Sequence, residues 1–168
     1  MSNCFIASLY LANGSGITQT GQFTSNTINS YYNQEFGNGS FVVKNNIFLN
    51  YHGLDANCVY QNNLFNTSYA VPVGTGNIGV TGTLMGSTVF VGYSTQGTYS
   101  NDGRYALKPG SPAIGAGAGG IDCGMFGGTN PYKLSGMPRI PAFYKLTAPS
   151  NITSTNPYTI TFSVRSNN

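Results

Sequence analysis

Four carboxylates make up the whole acidic complement of this 168-residue chain: Glu35, Asp55, Asp102 and Asp122. Acid–base chemistry on a single bond needs two ionisable groups flanking it, with geometry as the first requirement. Glu35 and Asp55 form the best pair, and the single histidine, His52, lies three residues before Asp55 in Tyr51-His-Gly-Leu-Asp55. Glu35, His52 and Asp55 are therefore the candidate catalytic residues. A His–Asp dyad orients a proton acceptor, but no serine in a Gly-x-Ser-x-Gly elbow accompanies it. A hydrogen bond inside a local turn accounts for the same spacing. Asp122, set between Ile121 and Cys123 amid glycines, reads as a turn-capping residue. Cys4, Cys58 and Cys123 are too widely spaced for a metal site and read as small buried hydrophobes. Gly115-Ala-Gly-Ala-Gly-Gly120 is glycine-rich but precedes no helix, as a phosphate loop would have to. No metal and no cofactor are expected.

Composition says what must position these groups. Charged residues are 7% of the chain, against about 25% in an ordinary soluble domain. Glycine numbers 23 and asparagine 20, while the strong helix formers are scarce. That excludes a helical bundle and a coiled coil. Apolar residues at 40% and aromatics at 13% suffice for a core, so the chain reads as all-β. The net charge is +3, from Lys44, Arg104, Lys108, Lys133, Arg139, Lys145 and Arg165 against the four acids. The cations are scattered, whereas a nucleic-acid surface clusters them. No run of about 18 apolar residues exists, so no membrane span is expected. The stretch Cys4–Ala12 has no basic residue before it and reads as a strand rather than a leader.

A weak repeat runs through the first half. Gly39-Ser-Phe-Val-Val-Lys-Asn-Asn-Ile-Phe-Leu-Asn50 aligns with Ala56-Asn-Cys-Val-Tyr-Gln-Asn-Asn-Leu-Phe-Asn-Thr67. Gln22–Asn29 and, more faintly, Cys4–Leu11 precede them, with steps of 18, 19 and 17 residues between Ser8, Asn26, Asn45 and Asn62. A period this short suits one turn of short strands wound round an axis, with neighbouring turns about 4.8 Å apart. Equivalent residues then stack. Asn26, Asn45 and Asn62 are expected to form a hydrogen-bonded ladder at a corner, since asparagine tolerates the left-handed backbone. Ile28, Ile47 and Leu64 are expected in one core column, Phe48 and Phe65 in a second, Phe41 and Cys58 in a third.

The motif Val43-Lys-Asn-Asn-Ile-Phe48 resembles the repeats of right-handed parallel β-helix proteins of the pectate-lyase-like superfamily. Tyr105-Ala-Leu-Lys-Pro-Gly-Ser-Pro-Ala-Ile-Gly-Ala-Gly117, continuing through Gly120–Gly128 and Pro131–Pro141, is similar to the ending of large secreted or surface proteins of this type from Bacteroidetes. The resemblance implies a single-stranded right-handed parallel β-helix with a C-terminal cap. Residues 1–104 would be coils, 105–141 a terminal coil and Gly/Pro-rich cap, and 142–168 a β-hairpin tail. Val80–Leu84 and Ser87–Gly92 read as short strands within one or two further coils. Enzymes of the superfamily are polysaccharide lyases and glycoside hydrolases that use acidic clusters, which this chain lacks. The expected function is a non-catalytic structural or adhesive module, secreted or at the cell surface, contacting polysaccharide. The alternative is a lyase or hydrolase with its site here or in coils upstream.

The tail shows period-two alternation: Tyr158, Ile160, Phe162 and Val164 share one face. A hairpin alone is marginal in water, so it must rest on something. Tyr10, Tyr31, Tyr32, Tyr51, Tyr60 and Tyr69 could supply a stacking row for sugar rings. The threonine pairs Thr18/Thr20 and Thr81/Thr83 do not recur at the coil period, which argues against an ice-binding array. A coil stack that starts without a cap leaves an open edge. The chain is therefore expected to be a piece of a longer protein, its partners being upstream coils or another copy through that edge.

Overall fold

The computed structural model describes residues 1–9, 11, 19–30, 36–37, 39–50, 57–68, 71–93, 99–134, 142–149 and 159–165. In chain order the elements are β1 (Phe5–Ile6), β2 (Thr20–Thr24), β3 (Thr27–Ile28), β4 (Ser40–Lys44), β5 (Ile47–Phe48), β6 (Val59–Gln61), β7 (Leu64–Asn66), β8 (Ile78–Val80), α1 (Gly82–Val89), β9 (Ala142–Thr147) and β10 (Thr161–Arg165). Its regular structure is mostly strand, with parallel pairing up to β8. Two compact units are present, Met1–Tyr132 and Lys133–Asn168.

In the first unit the chain passes repeatedly from one parallel sheet to another. β2, β4 and β6 form a three-stranded sheet, and β1, β3, β5, β7 and β8 a five-stranded one. The two sheets meet at a corner made by one left-handed residue per pass: Asn3 (φ 50°), Ser25 (54°), Asn45 (59°), Asn62 (51°) and Gly76 (70°). Glycine and asparagine visit this region most readily. The next residue in each pass builds the ladder. Asn26 Nδ2 donates to Asn46 Oδ1, Asn46 Nδ2 to Asn63 Oδ1, and Asn63 Nδ2 to Asn77 Oδ1, at 3.0, 3.0 and 3.1 Å. Cys4 N donates to Asn26 Oδ1 at the far end. The ladder expected through Asn26, Asn45 and Asn62 is thus corrected: Asn45 and Asn62 turn the corner, and Asn46 and Asn63 carry the rungs. A left-handed backbone turns the corner side chain away from the core, so only the following residue can stack inside.

Register follows from that shift. β3, β5 and β7 align Ile28 with Phe48 and Phe65, and Thr27 with Ile47 and Leu64. All five expected core residues are buried, but Ile28 joins the phenylalanine column instead of the Ile47 and Leu64 column. Side chains alternate across a sheet, so these columns point to opposite faces. The Ile28, Phe48 and Phe65 face packs against Phe23, Phe41, Val43 and Tyr60 from the three-stranded sheet. Phe48 and Phe65 stack with centroids 4.7 Å apart and planes 10° apart. The Ile47 and Leu64 face is covered by Met85, Val89, Phe90, Tyr105, Cys123 and Met125.

Because both faces of the five-stranded sheet are apolar, the chain beyond β8 must supply a cover. The two strands expected in 80–92 are instead the end of β8 and the helix α1. Met85 and Val89, four residues apart, bury on one side of the helix. Gly86 has no room for a side chain beside the ring of Tyr93. Lys108 Nζ donates to the Ser87 carbonyl in the last helical turn, satisfying an acceptor the helix leaves open.

Residues 113–127, within the segment expected as a Gly/Pro-rich cap, form a strap that runs back along the corner column and lays Cys123 and Met125 on the core. Asn62 Nδ2 donates to Ala116 O, Ala118 N to Asn45 Oδ1, Gly124 N to Asn45 O, and Met125 N to Thr27 Oγ1. Asn3 Nδ2 ends the series on Gly127 O at 2.7 Å. Gly124 (φ 90°) is needed for this approach, since a methyl there would stand 2.6 Å from Ile47 Cδ1.

The second unit contains an antiparallel hairpin of β9 and β10, with a bulge at Ser163/Val164.

Candidate functional site

Glu35, His52 and Asp55 lie outside the described residues, as do Tyr10, Tyr31, Tyr32, Tyr51 and Tyr69. Tyr60 is buried, so it takes no part in an exposed aromatic row. Thr83 lies within α1, away from any strand array. The two described acids have structural partners. Asp122 Oδ1 accepts from Gly115 N at 2.9 Å. Asp102 accepts from Gly103 N and from the Tyr132 hydroxyl, each at 3.0 Å. Among the described residues, no group of three or more metal-ligating side chains occurs, and no helix is long and apolar enough to cross a membrane.

The three cysteines are thiols. Cys123 donates to Asn62 O, and burial, with Asp122 beside it, pushes its thiol up to about 12. A thiol so hard to ionise is a poor nucleophile. The same shift links it to stability. Unfolded, the thiol loses its proton above about 8.5; folded, it keeps the proton to about 12. Its contribution is therefore present below pH 8.5 and falls as pH rises toward 12. Urea unfolding from pH 8 to 10.5 should show stability declining with pH, and Cys123→Ala should flatten that slope.

A polar recess of about 260 Å³ opens on the described surface. One wall is the corner column with the strand ends beside it, from Ser2 through Thr24 to Lys44. The other is the strap at Ile121 with the residues that directly follow it, Gly128–Asn130. Asn3 and Asn45 line it too, but their side chains are committed to holding the strap. Gln22, Thr24 and Lys44 are different. Among the described residues their side chains make no hydrogen bond and no ion pair. They stand on neighbouring parallel strands, Gln22 and Thr24 on β2 and Lys44 on β4, with Thr24 paired to Lys44. Lys44 is the only charged residue of the lining.

The recess therefore offers hydroxyls, an amide and one ammonium, a set that binds hydroxyl-rich or anionic groups. Its lining holds no carboxylate and no histidine that could activate one of its hydroxyls. Gln22 and Thr24 belong to no binding motif, and Lys44 is only the variable position of the coil repeat. The alternation in Phe41-Val-Val-Lys44 turns Lys44 away from the core, and only the return of the strap makes that side a recess. No family model matches the chain, and searches of curated proteins and of solved structures returned no match.

Proposed function

We propose that the chain is a non-catalytic module of a right-handed parallel β-helix of the pectate-lyase-like kind, from a secreted or cell-surface protein, and that its recess binds polysaccharide. The solenoid reading is supported by the parallel registers, the recurring left-handed corner and the amide ladder. The observation that carries the binding reading is the cluster of uncommitted polar side chains, Gln22, Thr24 and Lys44, held on adjacent strands beside a strap that fixes their wall. With a cation as its only charge, the recess favours acidic sugars over neutral ones.

Calorimetric titration with uronic-acid oligosaccharides and with neutral ones tests this. The acidic ligands should bind more tightly, and salt should weaken them. Lys44→Met should lower their affinity roughly tenfold, the scale of one charge-assisted hydrogen bond, and leave neutral ligands unchanged. No binding, or indifference to Lys44→Met, overturns the assignment.

A further inference from the structure

The hairpin has two unlike faces. Register places Phe162 opposite Leu146 and Val164 opposite Phe143, so these four side chains share a face. The rings of Phe143 and Phe162 meet edge to face at 5.4 Å. Ile160, two residues before Phe162, continues the row. The bulge is what recruits Phe143: it lets Phe143, rather than Tyr144, stand opposite Val164. The other face carries Lys145, Thr147, Thr161 and Ser163. Every member of the apolar row is exposed, Phe143 at 74% and Leu146 at 70%. Together the five present on the order of 500 Å² of apolar surface, the size of the largest patch on a typical monomer.

We propose that this face is a self-association surface, on which the hairpin of a second copy of the chain packs face to face. Area and charge placement both favour that occupant. Two such faces bury about 1,000 Å² together, the lower limit for a specific interface, which fits a weak and reversible dimer. The face contains no charge, so a twofold arrangement meets apolar with apolar and needs no ion pair. Residues 133–168 contain Lys133, Arg139, Lys145 and Arg165 and no acidic side chain, so side-chain ion pairs between two such segments cannot draw the hairpins together. Lys145 lies on the opposite face. In a two-layer stack, with sheets about 10 Å apart, the lysines of the two copies point outward and away from each other.

Sedimentation equilibrium on the full chain over a wide concentration range tests the proposal. A reversible dimer is expected, undiminished in 0.5 M NaCl because burial is apolar. Phe162→Arg should abolish it, whereas Thr161→Arg, on the other face, should not. Wild-type chain that stays monomeric throughout overturns the proposal, whatever the variants do. A dimer that survives Phe162→Arg overturns the assigned face. A photo-reactive benzoylphenylalanine at position 143 guards against a variant that fails to fold: cross-links between chains should fall within 142–165, and capture elsewhere on the partner overturns the face-to-face arrangement. A monomer that binds anionic vesicles in low salt and is released by added salt would assign the face to a membrane surface instead.

Discussion

Asn46→Leu is expected to destabilise the chain by about 3–5 kcal/mol and to lower Tm by about 10 °C. Asn46 is fully buried. Its Oδ1 accepts from the backbone and the side chain of Asn26. Its Nδ2 donates to Phe23 O, Lys44 O and Asn63 Oδ1. Leucine has similar bulk but leaves these partners buried without their bonds, and each orphaned group costs about 1–3 kcal/mol. Asn46→Asp makes the contrast sharper. It keeps the acceptor but aims a carboxylate at three oxygens, so its defect should be larger at pH 7 and ease in acid. Asn45→Gly should cost only about 1 kcal/mol. Glycine keeps the left-handed corner, and the loss is the bond from Ala118 N. Urea denaturation of the three variants checks the ranking. Equal losses at positions 45 and 46 would show that the two asparagines do not divide corner and rung between them.

Phe48→Ala is expected to cost about 3–5 kcal/mol, the usual range for emptying a buried aromatic site. Phe48 and Phe65 have no exposed surface, and their stack joins neighbouring strands of the five-stranded sheet. The cavity would open in the packing between the two sheets, where Tyr60 already leans edge-on against Phe65 at 6.0 Å. Phe48→Leu should lose less than half as much, since it refills most of the volume. Both are read by denaturant midpoint at unchanged slope. A loss below about 1 kcal/mol for Phe48→Ala would mean that the stack is not a core element.

Much of this architecture is legible in the residues. The scarcity of helix formers, the period near 18 and the paired asparagines point to short parallel strands with stacked amides. The hairpin is plain from alternation alone. Register fails by one residue for a physical reason. The later passes hold two adjacent asparagines, Asn45-Asn46 and Asn62-Asn63, either of which fits a corner or a rung, while the earlier pass holds Ser25-Asn26. Aligning Asn26 with the first of each pair gives steps of 19 and 17. The hydrogen bonds align it with the second, with steps of 20 and 17. Alternation then reverses the face of Ile28.

The helix α1 escapes notice because Thr81-Gly-Thr-Leu-Met-Gly-Ser-Thr88 has poor helical propensity and no acidic first turn. Packing of Met85 and Val89 decides it, and packing is not local. The strap and the recess are hidden for the same reason. Gly115 to Gly128 reads as a run of turns, and nothing in it names the corners on which it lies. The recess exists only where the strap's end meets residues more than 80 positions earlier.

The strap also sets an order of events as the chain is made. Phe5, Ile47 and Leu64 leave the ribosome long before Cys123 and Met125, their cover. Met85, Val89 and Phe90 follow first, but about 60 residues separate Leu64 from the last of that cover, so at 5–20 residues per second the sheet waits on the order of 3–12 s with part of an apolar side bare. Nascent chains halted between positions 70 and 110 should therefore be the ones that recruit chaperones, and chains released past position 130 should let them go.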